Sequence, residues 1–345
     1  MRWDDVYVAG LGSYLPQTEM TSEQAVAEGL YDPTENLANG ILAVRIAGPG
    51  EAPVEMAAAA AAKAVARSGH RDGEFGLVLH AGLGHQGQDY WTPASYVQDH
   101  TVGGEAAAIE IRQGSNGGLA GVELAASWVA ARRGGQAALV TAADSFHLPY
   151  FDRWKTDVQL VYGDGAGAVV LSSRTGFARL RATVSIGDGS FEPLYRGSDA
   201  WTPHPFASGK PIDLRARKRD HLMKTEDGYE GAVARMGRHM KEVIERVVAE
   251  AGTTVAEVDW FVHANLGQTI AQWAFYDQFG IDRARTVYDW GRSLGHMGAG
   301  DQLIGFTHLA ESGRLRPGDL VLTAGAGIGF MWSAAVLEIL EPPVW

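Results

Sequence analysis

The 345-residue chain contains no cysteine, and that absence removes disulfides, thiolate metal sites and thiol nucleophiles at once. Long apolar runs are missing too: no stretch approaches the roughly 18–20 residues that span a bilayer. The longest small-residue run, Ala57 to Ala62, lies between Glu55 and Lys63 and reads as a helix. Positive charge is scarce. Lys and Arg number 29 against 41 Asp and Glu, and the formal net charge of −12 excludes a general nucleic-acid binder. The histidines are scattered and form no helical His-x-x-x-His pair with acidic support, so no metal site is expected. Met1 to Asp5 carries neither the basic nor the apolar region of a signal peptide, so the expected location is the cytoplasm, away from membranes.

What the chain does have is internal repetition. Phe75 to Gly84 and Asp259 to Gly267 are both short apolar runs closed by His-Ala-Gly/Asn-Leu-Gly, the pattern of a buried strand ending in a loop. A glycine-rich turn opening a helical segment follows each. The first is Gln113-Gly114-Ser115-Asn116-Gly117-Gly118, the second Leu294-Gly295-His296-Met297-Gly298-Ala299-Gly300-Asp301. His80 precedes Ser115 by 35 positions, and His263 precedes His296 by 33. Basic turns (Arg132-Arg133-Gly134-Gly135 and Arg314 to Asp319) then lead into strands ending at Thr141 and Thr323. Each half closes on a glycine-rich turn and a last apolar strand, Gly163 to Leu171 and Gly325 to Leu337.

Four matched landmarks at matched spacing define a duplicated α/β unit. Near-continuous apolar strands alternating with helices indicate sheets covered on both faces. The expected fold is therefore two α/β halves about a pseudo-twofold axis. The first half, 1–173, carries Ser115; the second, 174–345, carries His263 and His296. Residues 188–224 have no counterpart in the first copy and are expected to lie over the pocket. The symmetry predicts that the Ser115 and His296 helix starts converge at the seam.

At these residues the sequence resembles the ketoacyl-ACP synthase III family, which implies the thiolase fold, layered α-β-α-β-α. Gly163 to Leu171 resembles that family's glycine-rich strand turn. Gly325 to Trp332 resembles its terminal glycine motif, whose backbone contributes to the oxyanion hole. Trp260 to Asn265 resembles the segment that carries its catalytic histidine, which implies roles for His263 and, in substrate binding, for Asn265. Two departures stand out. Ser115 occupies the place of the family's nucleophilic cysteine, and His296 follows Gly295 where the family has its active-site asparagine. Serine-bearing relatives are associated with priming aromatic (type II) polyketide pathways with a short acyl starter. The resemblance implies a coenzyme A or phosphopantetheine thioester as substrate with no tightly bound cofactor, acyl-CoA and acyl carrier protein as partners, and a homodimer.

The two departures explain each other chemically. A serine hydroxyl needs a neighbouring base, and the base needs an orienting partner. His296 supplies the base, Asp301, five residues on, is the candidate orienter, and His263 is the competing base. The backbone N–H groups of Ser115 and Ile328 are the oxyanion-hole candidates. In the 188–224 segment Trp201, His204 and Arg217 are substrate-binding candidates, and His221 is a further pocket-wall candidate. The basic cluster Arg215-Ala216-Arg217-Lys218-Arg219 is either a solvated surface loop or a docking patch for an anionic carrier arm. Two rival readings stay open. One is a serine thioesterase, although Gln-Gly-Ser-Asn-Gly misses the Gly-x-Ser-x-Gly elbow by one position. The other is a non-catalytic partner subunit of a ketosynthase complex.

Overall fold

Residues 137–144 and 165–172 are buried throughout, as strands covered on both faces must be. The computed structural model describes residues 1–132, 134–224 and 228–345. Arg133, in the first basic turn, lies outside the described residues. Among the described residues the strands are β1 (Tyr7–Tyr14), β2 (Glu19–Thr21), β3 (Ala43–Arg45), β4 (Phe75–Ala81), β5 (Ala107–Ile111), β6 (Ala137–Asp144), β7 (Gly165–Ser172), β8 (Ala178–Gly187), β9 (Trp260–Val262), β10 (Leu320–Gly327) and β11 (Met331–Ile339). β2 and β3 form a small hairpin-like sheet, and the rest are ordered β5-β4-β6-β7-β1-β8-β11-β10-β9.

That order records the duplication. β4 pairs parallel with β6, as β9 does with β10. β6 then pairs antiparallel with β7, as β10 does with β11. Repeat mates stand at equal distances from the junction of β1 and β8, where only Tyr7↔Arg179 and Val8↔Ala178 are in register. β5 is an extra strand at one edge.

Three apolar cores separate the layers, and alternate strand residues sort into them by the period-2 rule. Leu139 and Val170 face the helix Pro53–Arg67, together with Ala57, Ala60 and Ala64. Val140, Val169, Val321 and Ala335 face inward onto two central helices, Gly117–Ala131 and Asp301–Glu311. Leu322 and Val336 face Val243, Ile244 and Val247 of the long helix Gly228–Ala251, whose apolar stripe has helical spacing. The result is helix, sheet, paired helices, sheet, helix. The central helices start in contact because of Gly118: a Cβ there would stand 2.7 Å from the carbonyl oxygen of Ala299. Among the described residues no helix is long and apolar enough to cross a membrane.

The 188–224 segment is largely structured. It holds the turn Gly189–Phe191, the short helix Pro193–Arg196 and the helix Leu214–Lys224, with Phe191 and Leu194 buried. The Arg215–Arg219 cluster is thus helical, not a loop, and most of its charge is already partnered. Arg215 pairs with Glu35, Lys218 with Asp157, and Arg217 donates to the carbonyl of Tyr195. These internal contacts leave little of the cluster to act as a docking patch.

Candidate active site

Ser115 lies in a single 3-10 turn, Gly114–Asn116, that runs directly into the first central helix. Gly114 has φ +56°, and a Cβ on it would stand 2.5 Å from the backbone nitrogen of Ile328. Glycine at this position lets the turn between β10 and β11 close down beside Ser115, which places the Ile328 N–H next to the serine's own backbone.

The second central helix delivers the partners. Ser115 Oγ is 2.7 Å from His296 Nε2, and His296 Nδ1 is 2.5 Å from Asp301 Oδ2. Because a carboxylate accepts only, Nδ1 carries the proton and Nε2 is left to accept from the serine hydroxyl. Asp301 is itself held on both oxygens. Oδ2 accepts from the Asn265 N–H at 2.9 Å, and Oδ1 accepts from the Met297 N–H at 2.8 Å and from Asn265 Nδ2 at 3.3 Å. Asn265 therefore positions Asp301, and its amide also donates to the carbonyl of Gly295. His296 is pinned by its backbone: its N–H donates to Val161, and its carbonyl accepts from Gly163. Burial disfavours the imidazolium, but attraction to Asp301, the hydrogen bond between them and the further carboxylates Asp144 and Asp157 outweigh it. The pKa of His296 is raised above the ordinary histidine value.

His263 does not join this relay. Its Nδ1 donates to the carbonyl of Ala264 at 2.7 Å, its Nε2 accepts from the Tyr276 hydroxyl at 2.9 Å, and its ring stacks on Phe275. Burial pushes its pKa down to about 4. Its repeat mate His80 is held in the same way, between Thr141 and Gln86, and burial lowers it to about 4 as well. Both are satisfied histidines at strand ends, but their partners differ: His263 sits among Phe261, Phe275, Tyr276 and Tyr288, and His80 between the side chains of Thr141 and Gln86.

The substrate-binding candidates of the 188–224 segment do not gather at Ser115. Trp201 is exposed, with the Arg196 guanidinium over its ring, and His204 hydrogen-bonds to the carbonyl of Pro205. Arg217 is spent on Tyr195. Phe206 instead helps to wall a cleft of about 820 Å³ with Leu83, Trp91, His147 and Tyr150, to which neither Ser115 nor His296 contributes.

Several polar residues around the site escaped the reading of the sequence. Asp144, at the end of β6, accepts the N–H groups of Leu83, Gly84 and Ala299, and burial raises it to about 6. Asn116 donates to Ser333 across the seam. Asp164, within the first glycine motif, gathers the backbone of Ala47 and Phe146 and the side chains of Arg153 and His147. A lone acidic residue at one end of an apolar strand, closing β6 at Asp144 and directly preceding β7 at Asp164, was the available signal.

A duplicated five-layer α/β fold with two facing helix starts defines the thiolase-like class of acyl-transferring enzymes. Within it, the chain belongs to the 3-oxoacyl-[acyl-carrier-protein] synthase III family: that family's model matches residues 109–189, and its C-terminal model matches residues 248–339. The β-ketoacyl-[acyl-carrier-protein] synthase III of Rhizorhabdus wittichii is 28% identical over 337 residues, 96% of this chain and 98% of that protein. The solved structure of the acyltransferase ChlB3 is 35% identical, with a TM-score of 0.92 over 98% of this chain and 99% of that one. The priming β-ketosynthase of the R1128 polyketide pathway shares the fold at 21% identity and a TM-score of 0.78, over 99% of this chain and 98% of its own.

Proposed function

We propose that the protein is an acyltransferase that works through an acyl-Ser115 oxyester. The observation that carries this reading is the continuous Ser115–His296–Asp301 relay, built from both halves of the chain. Ser115 Oγ attacks the carbonyl of a short acyl thioester while His296 Nε2 takes its proton. The tetrahedral oxyanion is held by the backbone N–H groups of Ser115 and Ile328. Collapse breaks the C–S bond, and His296 returns the proton to the departing coenzyme A or carrier-protein thiolate. An acceptor nucleophile then takes the acyl group by the reverse sequence.

Relatives of the family act on acyl-CoA and acyl carrier protein, and one structural neighbour is a priming ketosynthase; both favour starter-unit delivery in a polyketide pathway as the setting. Simple transfer is favoured over decarboxylative condensation. Condensation in the family uses a histidine and an asparagine, whereas here His296 replaces the asparagine and both nitrogens of His263 are engaged. The exposed edge strand β5 supports a homodimer formed edge to edge.

The test is intact mass after incubation with a panel of short acyl-CoA and acyl-carrier thioesters. An acyl adduct is expected in the wild type and none in Ser115→Ala. Absence of an adduct with every donor removes the covalent mechanism and leaves a non-catalytic partner subunit as the better reading.

A further inference from the structure

Packed against His296 lies a second buried chain of polar groups. The ring of Tyr162 packs on the imidazole, with centroids 5.2 Å apart, and Tyr162 and His296 are bridged through their backbones. The Tyr162 hydroxyl donates to Asp157 Oδ2 at 2.9 Å. Asp157 is fully enclosed and its other oxygen meets Lys218 Nζ at 2.5 Å. Lys218 belongs to the helix Leu214–Lys224 of the segment absent from the first copy, and its ammonium also lies over the ring of Tyr195, from the same segment. The inserted segment thus sends one positive charge into the body of the enzyme, to a carboxylate separated from the base by a single aromatic ring.

We propose that Lys218 is a positioning residue for the base: carried in by the insertion, it neutralises Asp157 and holds the Asp157–Tyr162 pair in place against His296. The proposal rests on the reading of His296 as the base. An enclosed carboxylate needs a partner charge, and Lys218 provides it. The groups that face His296 are Ser115 from the first central helix turn, Asp301 from its own loop, Asp144 from the end of β6, and Tyr162 with Asp157 from the segment before β7. Of these, only the Asp157 arm is balanced by a cation that the insertion supplies. The insertion therefore does more than cover the fold, because it sets the charge balance beside the imidazole.

The test removes the carboxylate while keeping its shape. In Asp157→Asn the Tyr162 hydroxyl retains an acceptor, but Lys218 now presents an uncompensated positive charge. The imidazolium of His296 is disfavoured, so its titration midpoint should fall by about 0.5–1 pH unit. Removing both charges, in Asp157→Asn/Lys218→Met, should return the midpoint most of the way to the wild-type value. The midpoint is read by NMR of the ¹⁵N-labelled imidazole, assigned by its loss in His296→Gln, and independently as the low-pH limb of acyl-enzyme formation. A midpoint that does not move in Asp157→Asn, or that stays low in the double variant, overturns the proposal. Should the double variant not fold, Asp157→Asn/Lys218→Gln puts the same question. The NMR readout needs no acyl-enzyme. A shifted midpoint without any adduct would therefore uphold the Lys218 arm while removing the acyl-Ser115 reading, and an adduct with an unmoved midpoint would do the reverse.

Discussion

On the proposed mechanism His296 must be neutral to take the serine proton, and its pKa is raised chiefly because Asp301 outweighs burial. Acylation should therefore fade as pH drops through a value above the ordinary histidine range. Asp301→Asn removes that charge and disturbs the tautomer, so the rate should fall about 10²–10⁴-fold while the low-pH limb moves to lower pH. Stopped acylation reactions across a pH series measure both effects. The raised pKa also contributes to stability: its share is fully present below the unfolded histidine value, near 6.5, and is lost as pH rises through the folded value. The meeting of Ser115, His296 and Asp301 was legible in the sequence because serine without a base is inert, so the histidine five residues before an aspartate acquired a meaning. That His263 stands outside this relay was not legible, since a strand-end histidine looks the same in sequence whether it is free or fully hydrogen-bonded. Asp157 was illegible, because its charge partner Lys218 sits 61 residues away on an insertion, and Tyr162 with it, because its hydroxyl is tied to Asp157.

Among the elements, the two central helices bear the most constraint. They meet through Gly118, and a larger residue there must displace the backbone of Ala299, three residues after His296. Gly118→Val should destabilise the fold by about 1–3 kcal/mol, and the loss of alignment should depress acylation further than the stability change alone. Thermal unfolding alongside adduct formation separates the two. The helix Leu214–Lys224 is held differently, by the ion pair of Lys218 with the enclosed Asp157. Lys218→Met strands that carboxylate and should cost about 3–5 kcal/mol, much of it recovered when Asp157→Asn is added. Denaturant titration of the single and double variants checks this. The repeated strands and central helices were legible because apolar runs and glycine turns recur at fixed spacing. The basic helix was not, since its sequence shows charge and gives no sign that Glu35, Asp157 and the Tyr195 carbonyl would absorb it.

Across the whole molecule, β5 leaves one edge of the sheet without a partner, and Ile109 on it is half exposed. An open edge of this kind invites pairing with a second copy. The purified protein should run as a dimer in light scattering after gel filtration, and Ile109→Arg should shift it toward the monomer. A monomeric wild type would remove this expectation. The two related halves were foreseeable from the duplication, and the five layers from the family resemblance, but the small register of contact between β1 and β8 was not, because it depends on how the two sheets meet in space.

On the proposed mechanism the reacting pair is split across the chain: Ser115 comes from the first half and His296 from the second, 181 residues later. A ribosome releasing this protein therefore exposes the serine long before His296 is there to activate it. The nascent first half, even if it folds early, cannot capture an acyl thioester. Reactivity should switch on only when the last helix and its following strands have docked, so the covalent chemistry is withheld until the molecule is whole.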